Sequence, residues 1–330
     1  MAQTKKKKIE LPASNNKAVV FLKENLGIII ALVILCLLLS VLPATSSSFL
    51  SAKNIFNVLR QISTNMLIAC AMTMVIILGG IDLSVGSIIA LSGVIAAGCV
   101  SRYHLPIAVA LLAGILVGVA VGVFNGAVIS RTTIPPFIVT LATMNIARGL
   151  AKVYTGGSPV RVMTKQWQFI GGGYVGPIPV PVIIMLIAIV ITALLMNKTK
   201  LGRHIYAVGG NTQAAVFSGI KVSKVKFIVH AYAGLMSGLA GIILASRMYS
   251  GQPTAGEGAE MDAIAAVVVG GTSMAGGSGK IGGTIIGALI IGVLNNGLNL
   301  MNVNSFWQDV VKGVVILLAV FIDYIRNKNA

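Results

Sequence analysis

A chain of 330 residues that is 56% hydrophobic and only 10% charged has too few polar side chains to cover a soluble core of its size, which excludes an ordinary soluble domain. The net charge of +17 does not indicate nucleic acid, because aromatic residues are only 6% and the Lys/Arg clusters flank apolar segments instead of forming a stripe. Positive charge retained on the inner face of a membrane accounts for the excess, so the lipid bilayer is the first partner and nucleic acid is excluded.

In chain order, residues 1–25 form a basic segment, with Lys5 to Lys8 in a row, that is held on the cytoplasmic side. Everything from 26 to 330 reads as one transmembrane domain. The apolar run 26–42 is longer than a typical signal-peptide core and more spans follow it, so it reads as an uncleaved first span. Residues 49–60 are amphipathic and are expected to lie along the interface, with a second span at 62–78. Gly79 to Ser87 (GGIDLSVGS) then sets Asp82 and several glycines between two apolar runs with almost no loop. Irregular backbone at membrane depth is tolerated only where protein or a water-filled cavity satisfies it, so this break is expected to line a pore.

A short third span (87–100) is followed by a full one, 107–129, with Gly114, Gly118, Gly122 and Gly126. Glycine at every fourth residue marks one helix face and lets a neighbouring helix approach closely. Asn125 lies on the same span. The fifth span, 137–154, holds Asn145 and Arg148, the latter near enough to an end to snorkel. Residues 155–179 read as an external loop with Trp167, Phe169 and Tyr174 at the interface, and 180–196 as a sixth span.

The loop 197–226 carries six cations and no acid, which places it on the cytoplasmic side. Its inner part, Asn211 to Ile220, is helix-compatible and bounded by Gly209-Gly210 and Gly219. After the seventh span (227–246), residues 247–261 are polar and glycine-rich, with Glu257 and Glu260, and Asp262 lies just beyond. Then come an apolar run at 263–269, a glycine break at 270–283, another run at 284–294, a cluster of asparagines beginning at Asn295 and Asn296, and a last span at 310–324.

The fold class is therefore an all-α polytopic membrane protein of about ten transmembrane helices, some broken or short, with both termini inside; counts from eight to eleven fit the same pattern. Two echoes point to an internal duplication: 75–80 against 266–271, and 122–125 against 292–295. Broken helices at corresponding positions are a transporter signature.

Gly277 to Gly282 matches a GxGxxG string, but Met274 and Ile281 stand where a phosphate loop needs Gly and a hydroxyl, and no ribose-binding acid follows. His104, His204 and His230 lie on separate segments, so there is neither a catalytic constellation nor a metal set. The chain is expected not to be an enzyme and to hold no cofactor; it runs on an ion gradient or borrows a motor. An ion-coupled carrier buries acids within its spans, whereas Asp82, Asp262 and Asp309 all sit at span edges, which favours the motor.

Gly209-Gly210-Asn211 with Ala214-Ala215 and Ser218-Gly219-Ile220 resembles the coupling loop of ATP-binding-cassette import permeases. GGIDLSVGS at 79–87, YTGGSPV at 154–160, SGQPTAGEG at 250–258, DAIAAVVVGGTSMAGGSGKIGGT at 262–284 and NNGLNL at 295–300 resemble the monosaccharide permeases of the ribose type, over nearly the whole chain after the basic N-terminus. That resemblance implies a subunit of a bacterial inner-membrane importer for ribose, or for a related sugar or sugar-like signal molecule. It implies pairing with a second copy as a homodimer, or with a paralogue. It also implies a cassette ATPase that carries the ATP and Mg, and an extracytoplasmic sugar-binding protein. The coupling positions become Gly210, Asn211, Ala214, Ala215, Ser218 and Gly219. Alternating access would pass the sugar along a path whose polar candidates are Asp82, Ser84, Asn125, Asn145, Asn295 and Asn296, all equally able to serve as interhelical hydrogen-bonders. Glu257, Glu260 and Asp262 either meet the binding protein or belong to a solvated loop. A stand-alone sugar carrier or channel is the alternative.

Overall fold

The structure, a computed structural model, describes Leu22 and residues 25–328; nearly all of the basic N-terminal segment lies outside the described residues. Fourteen helices occur among them: α1 (Leu26–Val41), α2 (Ser46–Phe49), α3 (Ala52–Ile77), α4 (Val85–Ser101), α5 (Ile107–Arg131), α6 (Pro136–Thr155), α7 (Lys165–Gly172), α8 (Val180–Lys198), α9 (Lys200–Gly210), α10 (Thr212–Phe217), α11 (Val222–Arg247), α12 (Ala259–Val269), α13 (Ile281–Leu300) and α14 (Ser305–Lys328). Four two-residue strands make two antiparallel ribbons, β1 (Val160–Arg161) with β4 (Ser250–Gly251) and β2 (Tyr174–Val175) with β3 (Ile178–Pro179). Among the described residues, five helices, α3, α5, α8, α11 and α13, are long and apolar enough to cross a membrane.

The bundle is built around α3. Its 26 residues contain neither glycine nor proline, and Ser51 caps the start by accepting the amide of Asn54. The separate interfacial helix expected at 49–60 is thus the first turns of one long helix, since nothing in the sequence breaks it. The helix is packed against α8, α11, α12 and α13, and Ile62, Met66, Leu67, Ile68, Met72 and Met74 are all buried. The later turns, buried from Met66 to Ile77, tolerate polar residues only with partners, and Thr73 meets both the Ala69 carbonyl and Thr284.

The glycine stripe of α5 seats against α11. A Cβ added at Gly118 would come 2.5 Å from the Gly234 carbonyl oxygen, and one at Gly122 would come 2.4 Å from that of His230. The two backbones approach as only small residues permit.

Helix α3 ends in a glycine cap, Gly79 at φ +86°, with Gly79 N–H to Ile76 O and Gly80 N–H to Val75 O. The end of α12 repeats this: Gly271 at φ +84° donates to Val268 O and Thr272 to Val267 O. The equivalent residues are therefore Gly79 and Gly271, one residue away from the pairing that the letters suggest. The second echo does not share this frame: Asn125 lies on the second helix after its break, Asn295 on the first.

At the end of the bundle away from α9 and α10, β1 pairs with β4 and α7 docks on the end of α11. Trp167, expected at the interface, is fully buried there, because Gly171 lets α7 lie flat and its N–H donates to Ser246 Oγ at 2.7 Å.

Candidate functional site

The segment between α3 and α4 is irregular at Ile81 to Ser84 and is held by side chains from two helices. Leu83 N–H donates to Thr140 Oγ1, which in turn reaches the Ile81 carbonyl, both at 3.2 Å. Asp82 is fully buried; its Oδ1 accepts the Ser84 amide at 2.9 Å and the Ser84 hydroxyl at 2.6 Å, just ahead of the first turn of α4. Ser84 Oγ accepts from Asn125 at 2.9 Å, and Asn125 Oδ1 accepts from Thr143 at 2.7 Å. Three of the six path candidates, Asp82, Ser84 and Asn125, thus form one chain of hydrogen bonds across the first break.

Asn295 and Asn296 belong to a second seam. Asn296 and Asn54 exchange amide bonds of 2.8 and 2.9 Å between α13 and α3. Asn295 and Asn65 each donate to Asp262 Oδ2 at 3.4 Å, and Lys312 from α14 lies 3.4 Å from Oδ1. Asp262, at 9% exposure, is accordingly enclosed among four helices. Asn145 stands apart, exposed on α6 with its amide turned to the Leu141 carbonyl.

The segment between α11 and α12 does not project. Added Cβ atoms at Gly251 and Gly256 would come within 2.7 Å of Val94 Cα and 2.6 Å of the Gly86 carbonyl, so it runs along α4. Arg148 secures it by donating from Nη1 to the carbonyls of Pro253 and Ala255, at 2.9 and 2.7 Å. Glu257 is exposed, while Glu260 is half-buried with its carboxylate against Gly86.

At the other end, glycines from three segments meet backbone to backbone. Gly277 N–H donates to Ile77 O at 2.8 Å, and Gly209 lies so close that a Cβ there would be 1.8 Å from the same oxygen. Gly276 faces Gly209 O and Gly79 Cα, and Gly277 faces Gly210 Cα. Tyr206 adds a bond from its hydroxyl to the Gly279 carbonyl at 2.8 Å, and burial raises its pKa above the usual tyrosine range. The end of α9 is in this way joined to both broken helices at once. A cavity of about 510 Å³ lined by Asn197, Tyr206 and Gly277 to Gly282 adjoins the joint.

Beyond the joint, α10 is a single stiff turn and a half. Asn211 Oδ1 accepts the Ala214 amide at 2.9 Å, and Gly219 at φ +78° closes the far end. Ala215 is the buried anchor, while Asn211, Ala214, Ser218 and Gly219 are exposed. Val216 and Phe217 project as well, Phe217 at 90% exposure. Neither was singled out from the sequence, although an aromatic closing an otherwise small and polar element was a legible signal.

A family model described as the permease component of branched-chain amino acid transport systems matches residues 54–320. The chain is 51% identical to a ribose import permease protein of Bacillus subtilis (strain 168), over 93% of this chain and 94% of that one. It is 47% identical to a ribose import permease protein of Escherichia coli (strain K12), over 89% and 92%, and 36% identical to a xylose transport system permease protein of Haemophilus influenzae, over 92% and 98%. No solved structure matches it.

Proposed function

The chain belongs to the permease family of branched-chain amino acid transport system components, and from that membership we propose that it is the membrane-spanning subunit of an ATP-driven importer for ribose. The observation that carries this reading is the near-half to half identity to ribose import permeases over about nine-tenths of the chain. A permease of this kind performs no chemistry of its own, and ATP and Mg belong to a partner ATPase subunit. The ten elements α1, α3, α4, α5, α6, α8, α11, α12, α13 and α14 cross or enter the bacterial inner membrane, with both termini on the cytoplasmic side and the basic loop 197–226 beside them.

In this reading α10 seats on the ATPase, through Gly210, Asn211, Ala214, Ser218 and Gly219 and the projecting Phe217, with Ala215 as its inward anchor. Closure of the ATPases displaces α10 and α9 as a rigid body, and the glycine joint passes that displacement to the ends of α3 and the second break. No side chain cushions the contact, so movement is transmitted instead of absorbed. The two breaks then change the shape of the path, which is alternating access. Asp82, Ser84 and Asn125 hold the wall of the path together, as do Asn295 and Asn296, while Asn145 lies on open surface. The binding protein delivers sugar at the end carrying α7 and the β1 ribbon. Glu257, Glu260 and Asp262 lie on the segment running inward from that end, so a docking role for them requires the binding protein's contact to reach into the bundle.

With binding protein and ATPase present, ribose is expected to stimulate ATP hydrolysis at lower concentration than xylose, arabinose or allose, by about tenfold or more if one misplaced hydroxyl is worth about 1.4 kcal/mol. A different sugar acting at the lowest concentration would reassign the substrate; no response to any sugar would remove the importer reading.

A further inference from the structure

Helix α14 is held to the bundle by a narrow seam. Its main helix contact is with α12, and Lys312, Val315 and Ile316 are half-buried while Val314 and Leu317 stand exposed. At its start Gln308 donates to Asn299 Oδ1 and to the Val303 carbonyl, both at 2.9 Å. Helix α12 is seated far more closely on α13. A Cβ added at Gly287 would come 2.0 Å from the Ala266 carbonyl oxygen, and one at Gly283 would come 2.0 Å from that of Gly270. Approach of that kind makes one body of the two helices that flank the second break. Helix α13 is tied in turn to α3 by the Asn296 and Asn54 exchange and by Thr284 on Thr73. The seam between α12 and α14 is therefore the looser one.

An ion pair crosses that seam. Lys312, the eighth residue of α14, lies about 10 Å along the helix from its start. Asp262 Oδ2 has the amides of Asn65 and Asn295, each at 3.4 Å, whereas Oδ1 has no hydrogen-bond donor among the described residues and is answered by the Lys312 ammonium at 3.4 Å. The same ammonium lies 3.6 Å from Oδ1 of Asp309, one turn back on α14 and 76% exposed. Each charge thus has a second place to rest. If α12 and α14 part, Lys312 keeps an acid on its own helix, and Asp262 keeps amide donors from α3 and α13. Breaking a buried ion pair is costly when a charge is left unpaired where water cannot reach it. Here neither charge is left so. A pair that served only to fasten α14 would gain little from the exposed acid, because exposed ion pairs contribute little to stability.

We propose that Lys312 is a positioning residue for transport, its ammonium passing between Asp262 and Asp309 as α12 shifts against α14. The proposal rests on the importer reading above. The shift begins at the glycine joint, which meets the segment between α12 and α13 at Gly276 and Gly277. Helix α12 carries it about 10 Å from its end at the second break to Asp262. Paired with Asp262, Lys312 holds the α12 and α13 body in one arrangement; paired with Asp309 alone, it releases that body to the other. A small displacement is amplified in this way when a packed contact has two discrete arrangements of similar energy.

The test uses the complete importer, with its ATPase and binding protein, in proteoliposomes. Asp309→Asn is expected to slow ATP-driven ribose uptake about tenfold, the worth of one charge-assisted bond to the arrangement that needs it, at unchanged permease level and unchanged ATPase content. Asp309→Glu is expected to keep most of the rate. In a second arm Cys36, Cys70 and Cys99 are replaced and Asp262→Cys is combined with Lys312→Cys. Joining the two thiols with a short, reductant-cleavable bifunctional reagent should stop uptake, and cleaving the link should restore the rate measured before it; a static fastening would transport equally well when joined. Uptake unchanged by Asp309→Asn, or uptake that continues through the joined pair, overturns the proposal. Where the double variant does not assemble, Asp309→Asn decides alone. If the unsubstituted complex takes up ribose, such a result removes the Lys312 assignment only; if it takes up none, the importer reading itself has failed.

Discussion

Gly209→Val is expected to lower ATP-driven ribose uptake by about a hundredfold while the chain still reaches the membrane. The reason is the joint. A Cβ at this position would be 1.8 Å from Ile77 O, the oxygen that already accepts the Gly277 amide at 2.8 Å. The backbone must therefore withdraw, which opens a buried hydrogen bond at a cost of about 1–3 kcal/mol on top of overpacking of similar size. A loss of about 2.7 kcal/mol from the coupled state corresponds to the hundredfold effect. Gly313→Val is the control, since a Cβ added there meets nothing within 4 Å, and uptake should persist. Uptake by proteoliposomes at matched protein level checks both; normal uptake by Gly209→Val would show that displacement does not pass through this contact.

Phe217→Asp is expected to detach the ATPase. The side chain is 90% exposed at the tip of a doubly capped turn, and an aromatic held out rigidly has little entropy to lose on docking. Buried aromatic anchors of interfaces contribute about 2–4 kcal/mol, so the affinity for the ATPase should fall by roughly 30- to 1,000-fold. The fold of the permease itself should not change, because the ring packs against little of it. Ala214→Glu, also exposed, should weaken docking in the same direction, whereas Ala215→Glu should instead unseat α10 because its side chain is buried. Co-purification of the ATPase with each variant separates these outcomes, and a Phe217→Asp chain that retains its ATPase contradicts the assignment.

The membrane class, the first break and the α5 stripe were legible because each rests on local chemistry: an acid among glycines between apolar runs, or a four-residue repeat of the smallest side chain. The continuity of α3 was not. Its first turns are amphipathic and its later turns apolar, and the change of pattern reflects where neighbouring helices begin, not an end of the helix. The segment from Ser250 to Gly258 was misleading for a similar reason, since glycine, proline and acids describe a solvated loop and an inward-running segment equally well. Only the bonds from Arg148 and the close approach to α4 separate the two. The glycine joint lies beyond any local pattern: Gly79, Gly209 and Gly276 are each ordinary turn residues in sequence, and their meaning comes from Gly276 meeting the other two.

As the permease of an ATP-driven ribose importer, the chain should move ribose only together with its partners. The most direct test is uptake of labelled ribose into proteoliposomes holding the chain with its ATPase, with binding protein outside and ATP within. Uptake is expected that vanishes when either ATP or binding protein is left out, and none by the chain alone. Ribose flux through the chain alone, without ATPase, would show a carrier or channel and contradict it.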